Sequence, residues 1–340
     1  MTAPSGSPRA SAGAFAAPTS ASSAPSVSAA SGPVPTLRRI GTSALAVYPI
    51  ALSGTVFGWT TDGPTTTAIL DRFAELGGSF IDTADSYAGG RSEIMIGNWM
   101  RARGNRDQVT IATKIGKSAD NPGLSARAVE RAVDASLQRL RVSHIDLLYL
   151  HIDDETVPYD ETLLAVDELI RDGRVRYFGG SHHTGNRLLE ARIASGQLGV
   201  APMVAVQNHY NLVHRSEYEG DLARIAAQLE LGVMPRFALA GGFLTGKYRS
   251  RADLERFRRG GDAAPHLSRH GLRLLHTMDR IANDTGTSVT TVGLSWLLSR
   301  PRIVAPVVSV SSADQLDDVM AAPVTSLGRH ELTELDRVSA

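Results

Sequence analysis

The chain contains no cysteine, which excludes disulfide scaffolds, thiol nucleophiles and zinc–thiolate sites together. It also lacks an excess of either charge, because 35 basic side chains balance 35 acidic ones. A nucleic acid or an anionic membrane surface as the main partner requires a basic excess, so neither is expected. No apolar run approaches the ~18 residues that a membrane span needs. The sequence therefore predicts a soluble globular protein.

The first 36 residues differ in composition from the rest of the chain. Ser, Ala and Pro supply 25 of them, and Arg9 is their only charged residue. Such a segment buries too little surface to offset its ordering entropy, so residues 1–36 are predicted to be a disordered tail. Prolines interrupt every apolar run that a secretory signal would need, so a cytoplasmic location is expected. Residues 37–340 are assigned to one folded domain.

Short β-type runs alternate with helical patterns from Leu37 onward. The run from Ile145 to His151 is almost continuously apolar until its end, as expected for a strand buried on both faces of a parallel sheet. Eight regularly spaced runs favour an α/β fold of the (β/α)8 TIM barrel type over an open sheet. The G-x-G-x-x-G pattern of an open Rossmann sheet is absent from the sequence. The predicted strands are Val47–Leu52, Phe80–Thr83, Val109–Lys114, Ile145–His151, Val175–Ser181, Met203–Asn208, Gly232–Phe237 and Ile303–Val310.

Two additions to the barrel are predicted. The segment between Phe237 and Ile303 exceeds a normal loop and contains two helical patterns, which indicates a helical insertion before the last strand. The runs Leu37–Ile40 and Ser43–Val47 flank a glycine, and they are predicted to form an N-terminal hairpin that closes the lower end of the barrel.

Reactive side chains follow three consecutive predicted strands. The second strand ends at Asp82, with Tyr87 five positions on, the third ends at Lys114, and the fourth ends at His151. Because a parallel barrel gathers the carboxyl ends of its strands at one rim, these four side chains are expected to meet there. Each residue alone also fits an ordinary structural role: a helix cap, a surface charge or a structural histidine.

Together these residue types describe a general acid poised to protonate an oxyanion. A tyrosine hydroxyl has a pKa of about 10, and a neighbouring ammonium group lowers that value by stabilising the phenolate. An aspartate can hold the ammonium in place, and a neutral histidine can donate a hydrogen bond to a carbonyl oxygen. No side chain supplies hydride, so the set implies a nicotinamide cofactor.

The motifs around these residues resemble the signature of the aldo-keto reductase superfamily, including its bacterial members. The resemblance rests on FIDTADSY (80–87) followed by GGRSE and IGNWM, on TIATKIG (110–116) and on DLLYLH (146–151). The family's catalytic tetrad falls on Asp82, Tyr87, Lys114 and His151. The resemblance implies that a hydride from NADPH, or from NADH, reduces an aldehyde or ketone, a sugar or keto-sugar included, while Tyr87 protonates its oxygen.

The resemblance also assigns cofactor contacts. Gly54 and Thr55 would line the nicotinamide ribose, and Ser181, the following residue and Gln207 would hold the carboxamide. The run FALAGGFLTGKY (237–248) is similar to the segment that wraps the pyrophosphate, and VVSVSSADQLDDV (307–319) is similar to the adenine end. The full set of expected cofactor contacts is Gly54, Thr55, Ser181, His182, Gln207, Arg236, Phe237, Leu239, Gly242, Lys247, Ser309, Ser311 and Gln315.

Three departures from the family pattern stand out. His182 replaces an asparagine, and Arg236 replaces the aromatic residue that usually stacks on the nicotinamide. At the adenine end, Ser311 and Val319 occupy positions that often carry arginine and asparagine. The arginines of the insertion, among them Arg256 and Arg259, form either a solvated helix face or a contact to the cofactor phosphates. The preference for NADPH over NADH therefore stays open at the sequence level.

Two other functions remain as alternatives. The same fold can serve as a cofactor-binding regulatory or interaction module with little turnover. A metal-dependent barrel hydrolase would gather histidines and aspartates at the same rim, and His182, His183, Asp153 and Asp154 are the residues in question. Lys114 beside a divalent metal would be electrostatically unfavourable, so no metal ligands are assigned. The aromatic residues that could line the cleft or pack the barrel are Phe57, Trp59, Tyr210 and Phe243.

Overall fold

The structure is a computed structural model that describes residues 35–257 and 259–340. Residues 1–34 of the predicted tail lie outside the described residues. Within the described part, β-strands and α-helices alternate along the chain. The strands are β1 Arg38–Arg39, β2 Ala46–Val47, β3 Ala51–Ser53, β4 Phe80–Asp82, β5 Thr110–Ile115, β6 Ile145–Leu150, β7 Val175–Ser181, β8 Ala205–Gln207, β9 Gly232–Val233 and β10 Val307–Val308.

Strands β3 to β10 form one parallel sheet that confirms the predicted TIM barrel. The strand order is β10-β3-β4-β5-β6-β7-β8-β9, so the strands from β3 to β9 pair in sequence order and β10 pairs with β3. A parallel bridge between Val233 of β9 and Ile303 joins the two ends of this order. The Val304 amide donates to the Val233 carbonyl at 2.9 Å, and the Val233 amide donates to the Arg302 carbonyl at 3.0 Å. The sheet is thereby closed on itself.

Twelve helices are found within the described residues, and those between consecutive barrel strands cover the outside of the sheet. The helix Ala126–Leu140 illustrates how the local sequence determines where a helix begins and which face it buries. Ser125 caps it by accepting from the Ala128 amide, and an apolar stripe that includes Val129 and Val133 is buried against the sheet. The helices are α1 Gly63–Glu75, α2 Arg91–Arg103, α3 Ala126–Leu140, α4 Tyr159–Arg171, α5 Gly185–Leu198, α6 Asp221–Gln228, α7 Arg251–Arg256, α8 Gly260–Ala263, α9 Arg269–Thr285, α10 Val289–Leu298, α11 Gln315–Ala321 and α12 Arg329–Ser339.

The predicted additions to the barrel are both present. Strands β1 and β2 pair antiparallel as the N-terminal hairpin, and Ile40 and Val47 pack into the same core cluster as the barrel-interior residues Phe80 and Leu147. The hairpin therefore fills the barrel interior from one end. Helices α7 to α10 form the insertion between β9 and β10.

Several predicted strands were too long, and prolines explain three of the differences. The predicted first strand, Val47–Leu52, is wrong in its bounds, because Val47 belongs to the hairpin and the barrel strand begins at Ala51. Pro49, Pro235 and Pro306 interrupt the apolar runs around β3, β9 and β10. A proline has no amide proton for the ladder, so strand pairing stops at it. In the described part of the chain, no helix combines the length and apolar character needed to cross a membrane.

Candidate active site

Lys114 lies at the centre of the predicted tetrad and is completely buried. It belongs to β5, beside β4, whose last residue is Asp82. The Lys114 Nζ donates to Asp82 Oδ2 at 2.5 Å, to the Thr83 carbonyl at 2.7 Å and to the Tyr87 hydroxyl at 3.3 Å. One ammonium group thus uses its three protons to join the carboxylate, the backbone and the phenol.

Both oxygens of the Asp82 carboxylate have partners, since Gln207 Nε2 donates to Oδ1 at 2.9 Å. Burial alone would lower the pKa of Lys114, but the Asp82 carboxylate and the Tyr87 phenol outweigh it, so the pKa of Lys114 is raised. The lysine is therefore held in its charged form at neutral pH.

His151 directly follows β6, and its amide donates to the Ile115 carbonyl at 2.9 Å. Its ring centroid lies 6.0 Å from that of Tyr87, in an edge-on arrangement. Burial lowers the pKa of His151 to about 2, helped by the positive charges of Lys114 and Lys117. The imidazole is therefore neutral at physiological pH, the form that donates one hydrogen bond and accepts another.

A buried layer supports these groups from behind. Ser92 Oγ donates to the Gly54 carbonyl at 2.8 Å, and Thr113 Oγ1 donates to Glu93 Oε1 at 2.6 Å. Arg139 Nε completes the layer by donating to Glu93 Oε2 at 2.7 Å. Ser92 of the GGRSE motif therefore holds the loop after β3, and Glu93 holds β5, the strand that carries Lys114. The motif alone did not reveal this role.

A cavity of about 750 Å³ opens beside the tetrad, and Tyr87 and His151 line it. Most of the expected cofactor contacts line the same cavity. They are Thr55, His182, Gln207, Arg236, Phe237, Leu239, Gly242, Lys247, Ser309, Ser311 and Gln315. His182 and Phe237 adopt left-handed backbone conformations, with φ of 62° and 53°. Non-glycine residues rarely adopt this conformation, and it is concentrated at functional sites.

Gly54 and Ser181 lie behind the cavity wall instead of lining it. A Cβ at Gly54 would come within 2.4 Å of Ser92 Oγ, so the glycine permits close packing of the loop after β3. Ser181 is fully buried and donates to the Gln207 carbonyl at 3.1 Å. These two residues therefore shape the wall that Thr55 and Gln207 present to the cavity.

Two of the departures from the family pattern, His182 and Arg236, lie in the same part of the cavity. The Lys117 Nζ lies 3.1 Å from His182 Nε2, and the two rings of His182 and His151 are 6.0 Å apart. Arg236 lines the cavity nearby, with its guanidinium 4.8 Å from the Phe237 ring centroid. Lys117, which sequence reasoning missed, could have been found from its place just beyond the carboxyl end of β5.

A second cationic part of the cavity lies by the predicted adenine end. Arg259 donates from Nη1 to Ser309 Oγ at 2.9 Å, and Arg256 and Lys247 line the same cavity. Gln315 receives the Ser311 amide on its Oε1 at 3.0 Å. The insertion thus brings a guanidinium to a wall where positions 311 and 319 supply none. The contact between Arg259 and Ser309 was not predictable from spacing, although the arginine-rich composition of the insertion indicated a cationic surface.

The residues considered as metal ligands have other partners. Asp153 pairs with Arg187 at 2.8 Å, and Asp154 accepts from the Leu124 amide at 2.9 Å, as expected for a loop cap. His183 Nδ1 lies 2.9 Å from the Ser181 carbonyl. Of the aromatic residues considered for the cleft, Phe57, Tyr210 and Phe243 are buried in the main core, whereas Trp59 is 63% exposed.

His209, His214 and Glu217 form another group with ligand-type atoms, within 4.8 Å of one another. The two imidazole rings are stacked, with centroids 3.7 Å apart and planes 12° from parallel. Lone pairs lie in the ring planes, so stacked rings direct them side by side rather than toward one point. Glu217 contacts His214 Nε2 at 2.9 Å, which makes the group a hydrogen-bonded stack.

Comparison with known proteins places the chain in a family. Residues 50–340 match the model of the aldo/keto reductase family. An uncharacterized oxidoreductase of Bacillus subtilis, YrpG, is 31% identical over 313 residues, which cover 88% of this chain and 94% of the relative. Norsolorinic acid reductase B of Aspergillus parasiticus is also 31% identical, over 79% of this chain and 73% of the relative.

A third relative is named as a channel subunit and not as an oxidoreductase. The Oryza sativa protein named "Probable voltage-gated potassium channel subunit beta" is 29% identical over 84% of this chain and 90% of its own length. The family match covers most of the chain and includes every residue of the tetrad. The chain therefore belongs to the aldo/keto reductase family of oxidoreductases.

Proposed function

We propose that the protein is an NADPH-dependent reductase of aldehydes or ketones in which Tyr87 is the proton donor. One observation carries the proposal: the buried ammonium of Lys114 contacts both Asp82 and the Tyr87 hydroxyl, at the wall of a cavity that His151 also lines. The cavity, of about 750 Å³, falls in the size range of cofactor and ligand sites.

The residues present fit a phosphorylated dinucleotide. The buried, polar catalytic part of the cavity is continuous with a part where Arg259, Arg256 and Lys247 provide positive charge. Arginine and lysine at a cavity wall are the usual partners of phosphate groups. Lys247 in particular lines the wall beside Gly242, whose φ of 95° requires glycine at that turn. When bound, a reduced nicotinamide supplies the hydride that becomes the new C–H bond.

The chain's own residues then handle the oxygen and its proton. The carbonyl oxygen lies between Tyr87 and His151, where the neutral imidazole donates a hydrogen bond and polarises the carbonyl. As the oxygen gains negative charge, the Tyr87 hydroxyl transfers its proton to it, and the product is an alcohol. The Lys114 ammonium, 3.3 Å away, stabilises the phenolate that remains, while Asp82 and the Thr83 carbonyl keep the ammonium in position.

The similarity to the rice channel subunit favours a second candidate, a cofactor-binding module with little turnover. One experiment separates the two. Full-length protein is mixed with NADPH or NADH and a panel of aldehydes and ketones, while nicotinamide absorbance and cofactor binding are both recorded. Loss of absorbance that needs the carbonyl compound supports the reductase. Tight NADPH binding without any turnover across the panel contradicts it and favours the module.

A further inference from the structure

The catalytic end of the cavity, where Tyr87 and His151 line the wall, has an excess of positive charge. Lys114 and Asp82 neutralise each other at 2.5 Å behind this wall. Two further cations, Lys117 and Arg236, line the cavity itself. Within ranges 35–257 and 259–340, neither of these two cations forms an ion pair with an acidic side chain. Their charges therefore act on whatever occupies this end of the cavity.

The backbone places the charge of Arg236 close to the catalytic groups. The Arg236 amide donates to the Asn208 carbonyl at 2.9 Å, which fixes it beside the end of β8, where Gln207 contacts Asp82. The Arg236 Nε is buried and has no hydrogen-bond partner in the described part of the chain. Its guanidinium lies 4.8 Å from the Phe237 ring centroid. Since a guanidinium keeps its proton in proteins, this position carries a permanent positive charge.

Glu217 offsets only part of this charge. Its carboxylate contacts His214 at 2.9 Å and Asn208 at 3.5 Å. Burial lowers the pKa of both Arg236 and His182, and the charge of Glu217 opposes each change without reversing it. Glu217 is also exposed, so water screens its charge. One screened carboxylate against two cations leaves this end of the cavity positive.

The two imidazoles at this end respond to the positive charge and add none of their own. Burial lowers the pKa of His151 to about 2, and Lys114, Lys117 and Arg236 contribute to the change. Burial, then Arg236 and Lys117, lower the pKa of His182 to about 4. Both rings are therefore neutral at pH 7, and the charge that remains is that of Lys117 and Arg236 against Glu217.

The chemistry of carbonyl reduction determines which end of the cofactor belongs here. The carbonyl oxygen lies between Tyr87 and His151, and the hydride must reach the carbon bonded to that oxygen. The nicotinamide end of the cofactor therefore belongs among the groups just described, and its phosphates belong by Lys247 and Arg259. The nicotinamide ring is neutral when it is reduced, and loss of a hydride leaves it with one positive charge.

We propose that Arg236 and Lys117 make this site discriminate between the two redox forms of the cofactor, so that it binds NADPH more tightly than NADP⁺. This inference rests on the proposed function, because it concerns the cofactor of the same site. The two cations repel the positive oxidised ring in a partly buried place where screening is weak, whereas the neutral reduced ring is not repelled. The aromatic residue that usually occupies position 236 in similar chains would bring no such charge.

This discrimination has a consequence for turnover. After each reduction the site holds NADP⁺, the form that it binds less tightly, so release of the spent cofactor is favoured. NADP⁺ should accordingly be a weak product inhibitor. The equilibrium between the free reactants and products is unchanged, because the protein affects only which cofactor form it holds.

The test compares NADPH with NADP⁺, which differ only by one hydride and the charge that its loss leaves. The Kd of each form is measured by calorimetric titration of the full-length protein, near neutral pH and at physiological ionic strength. The ratio of the Kd for NADP⁺ to the Kd for NADPH should be about tenfold or more. Arg236→Met should reduce the ratio to near one, chiefly by tightening NADP⁺ binding. Arg236→Lys keeps the charge and should keep most of the ratio.

Two neighbouring charges should change the ratio in opposite directions. Lys117→Met should lower it by about threefold, since this ammonium is exposed and partly screened. Glu217→Gln should raise it by about threefold, because the carboxylate that offsets the cations is lost. The matched control is Arg101→Met, an exposed cation of α2 outside the cavity, which should leave the ratio unchanged.

Three results would overturn the inference. The first is equal binding of NADPH and NADP⁺ by the wild-type protein. The second is equal weakening of both forms in Arg236→Met, which would assign the guanidinium to a group that the two forms share. The third is a change of the same sign in Lys117→Met and Glu217→Gln, because packing and not charge would then determine the ratio.

A binding readout keeps this inference separate from the proposed function. A protein that binds NADPH more tightly than NADP⁺ but reduces no carbonyl compound contradicts the reductase and supports the discrimination. An active reductase that binds both forms equally does the reverse. Absence of binding of either form overturns both proposals.

Discussion

Lys114 and Lys117 lie three residues apart at the carboxyl end of β5, yet their surroundings are opposite. The Lys114 ammonium is completely buried, and its contacts to Asp82, Thr83 and Tyr87 account for its three protons. The Lys117 ammonium is exposed at the cavity mouth and contacts a neutral imidazole. The same side chain thus serves two purposes, depending on whether the fold supplies a counter-charge.

The buried region around Lys114 is therefore suited to catalysis, and the cavity mouth around Lys117 is suited to ligand recognition. In the buried region, every charge that touches the reacting groups is paired, so the orientation of Tyr87 is set before any ligand arrives. At the mouth, Lys117 and Arg236 lack an ion pair among the described residues, so their charges act on the ligand that binds there. Substitutions in the buried region should therefore affect turnover and folding, whereas those in the cationic regions should affect which ligand binds.

The largest effect is expected from Tyr87→Phe. Removing the hydroxyl leaves no proton donor for the developing alkoxide, so kcat for carbonyl reduction should fall by about 10³-fold or more. The Kd for NADPH, measured by fluorescence quenching, should change by less than about threefold, since only one hydroxyl is lost. The matched control is Tyr177→Phe, which makes the same change where the hydroxyl accepts from the Ala44 amide of the hairpin. Near wild-type turnover in Tyr87→Phe would remove this residue from the proposed mechanism.

The comparison of the two lysines can be tested directly with methionine at each position. Lys114→Met leaves the Asp82 carboxylate buried without its cation, so the free energy of unfolding should fall by about 3–5 kcal/mol and turnover by about 10²-fold or more. Lys117→Met removes an exposed cation and should change the free energy of unfolding by less than about 1 kcal/mol. Urea unfolding and steady-state kinetics measure both quantities.

A further variant tests whether the lost activity of Lys114→Met is caused only by loss of the fold. The double variant Asp82→Asn/Lys114→Met removes both buried charges and should recover part of the lost stability while remaining inactive. Equal stability of the two single variants would contradict the contrast drawn between the buried and the exposed lysine.

The tetrad could be predicted from the sequence because the geometry of a parallel barrel determines where the residues at its strand ends lie. Asp82, Lys114 and His151 each end an apolar run, and a parallel barrel gathers those ends at one rim. The strand bounds were harder to predict, because a proline such as Pro306 ends pairing inside a run that remains apolar. Arg259 was not predicted to contact Ser309, because the two lie 50 positions apart in the sequence and no periodic pattern records such a contact.

Asp85 differs from Asp82 within the buried region, because no lysine in the described part of the chain pairs with its carboxyl group as Lys114 does with Asp82. It is 2% exposed, and no side chain among the described residues donates a hydrogen bond to either of its oxygens. Burial raises the pKa of Asp85 to about 7, with a contribution from the charge of Glu93. The charge of Arg139 and the nearby backbone amides of Gly116 and Ser86 offset only part of this rise. The native state therefore holds a proton on Asp85 that the unfolded chain releases near pH 4.

The sign of the pH dependence follows from that difference. Between about pH 4 and pH 7 the native state binds more protons than the unfolded state, so the contribution of Asp85 to stability falls as pH rises. From pH 5 to pH 8, wild type should lose about 2–3 kcal/mol of unfolding free energy relative to Asp85→Asn. Urea unfolding at both pH values measures this, with Asp120→Asn in an exposed loop as the control. A pH-independent difference would mean that Asp85 titrates near its ordinary pKa.

The smallest effect concerns the second cationic region and the choice of cofactor. Arg259 is 25% exposed, donates to Ser309 Oγ and also pairs with Asp262, so its charge is only partly available to a ligand. If it faces the 2′-phosphate that distinguishes NADPH from NADH, Arg259→Gln should reduce the ratio of kcat/KM for NADPH over NADH by about tenfold. Arg249→Gln is the matched control in the same insertion, because Arg249 is already paired with Asp279 at 2.7 Å. If Arg259→Gln lowers kcat/KM equally for NADPH and NADH, Arg259 contacts the phosphates that the two cofactors share. The preference for NADPH would then depend on other residues.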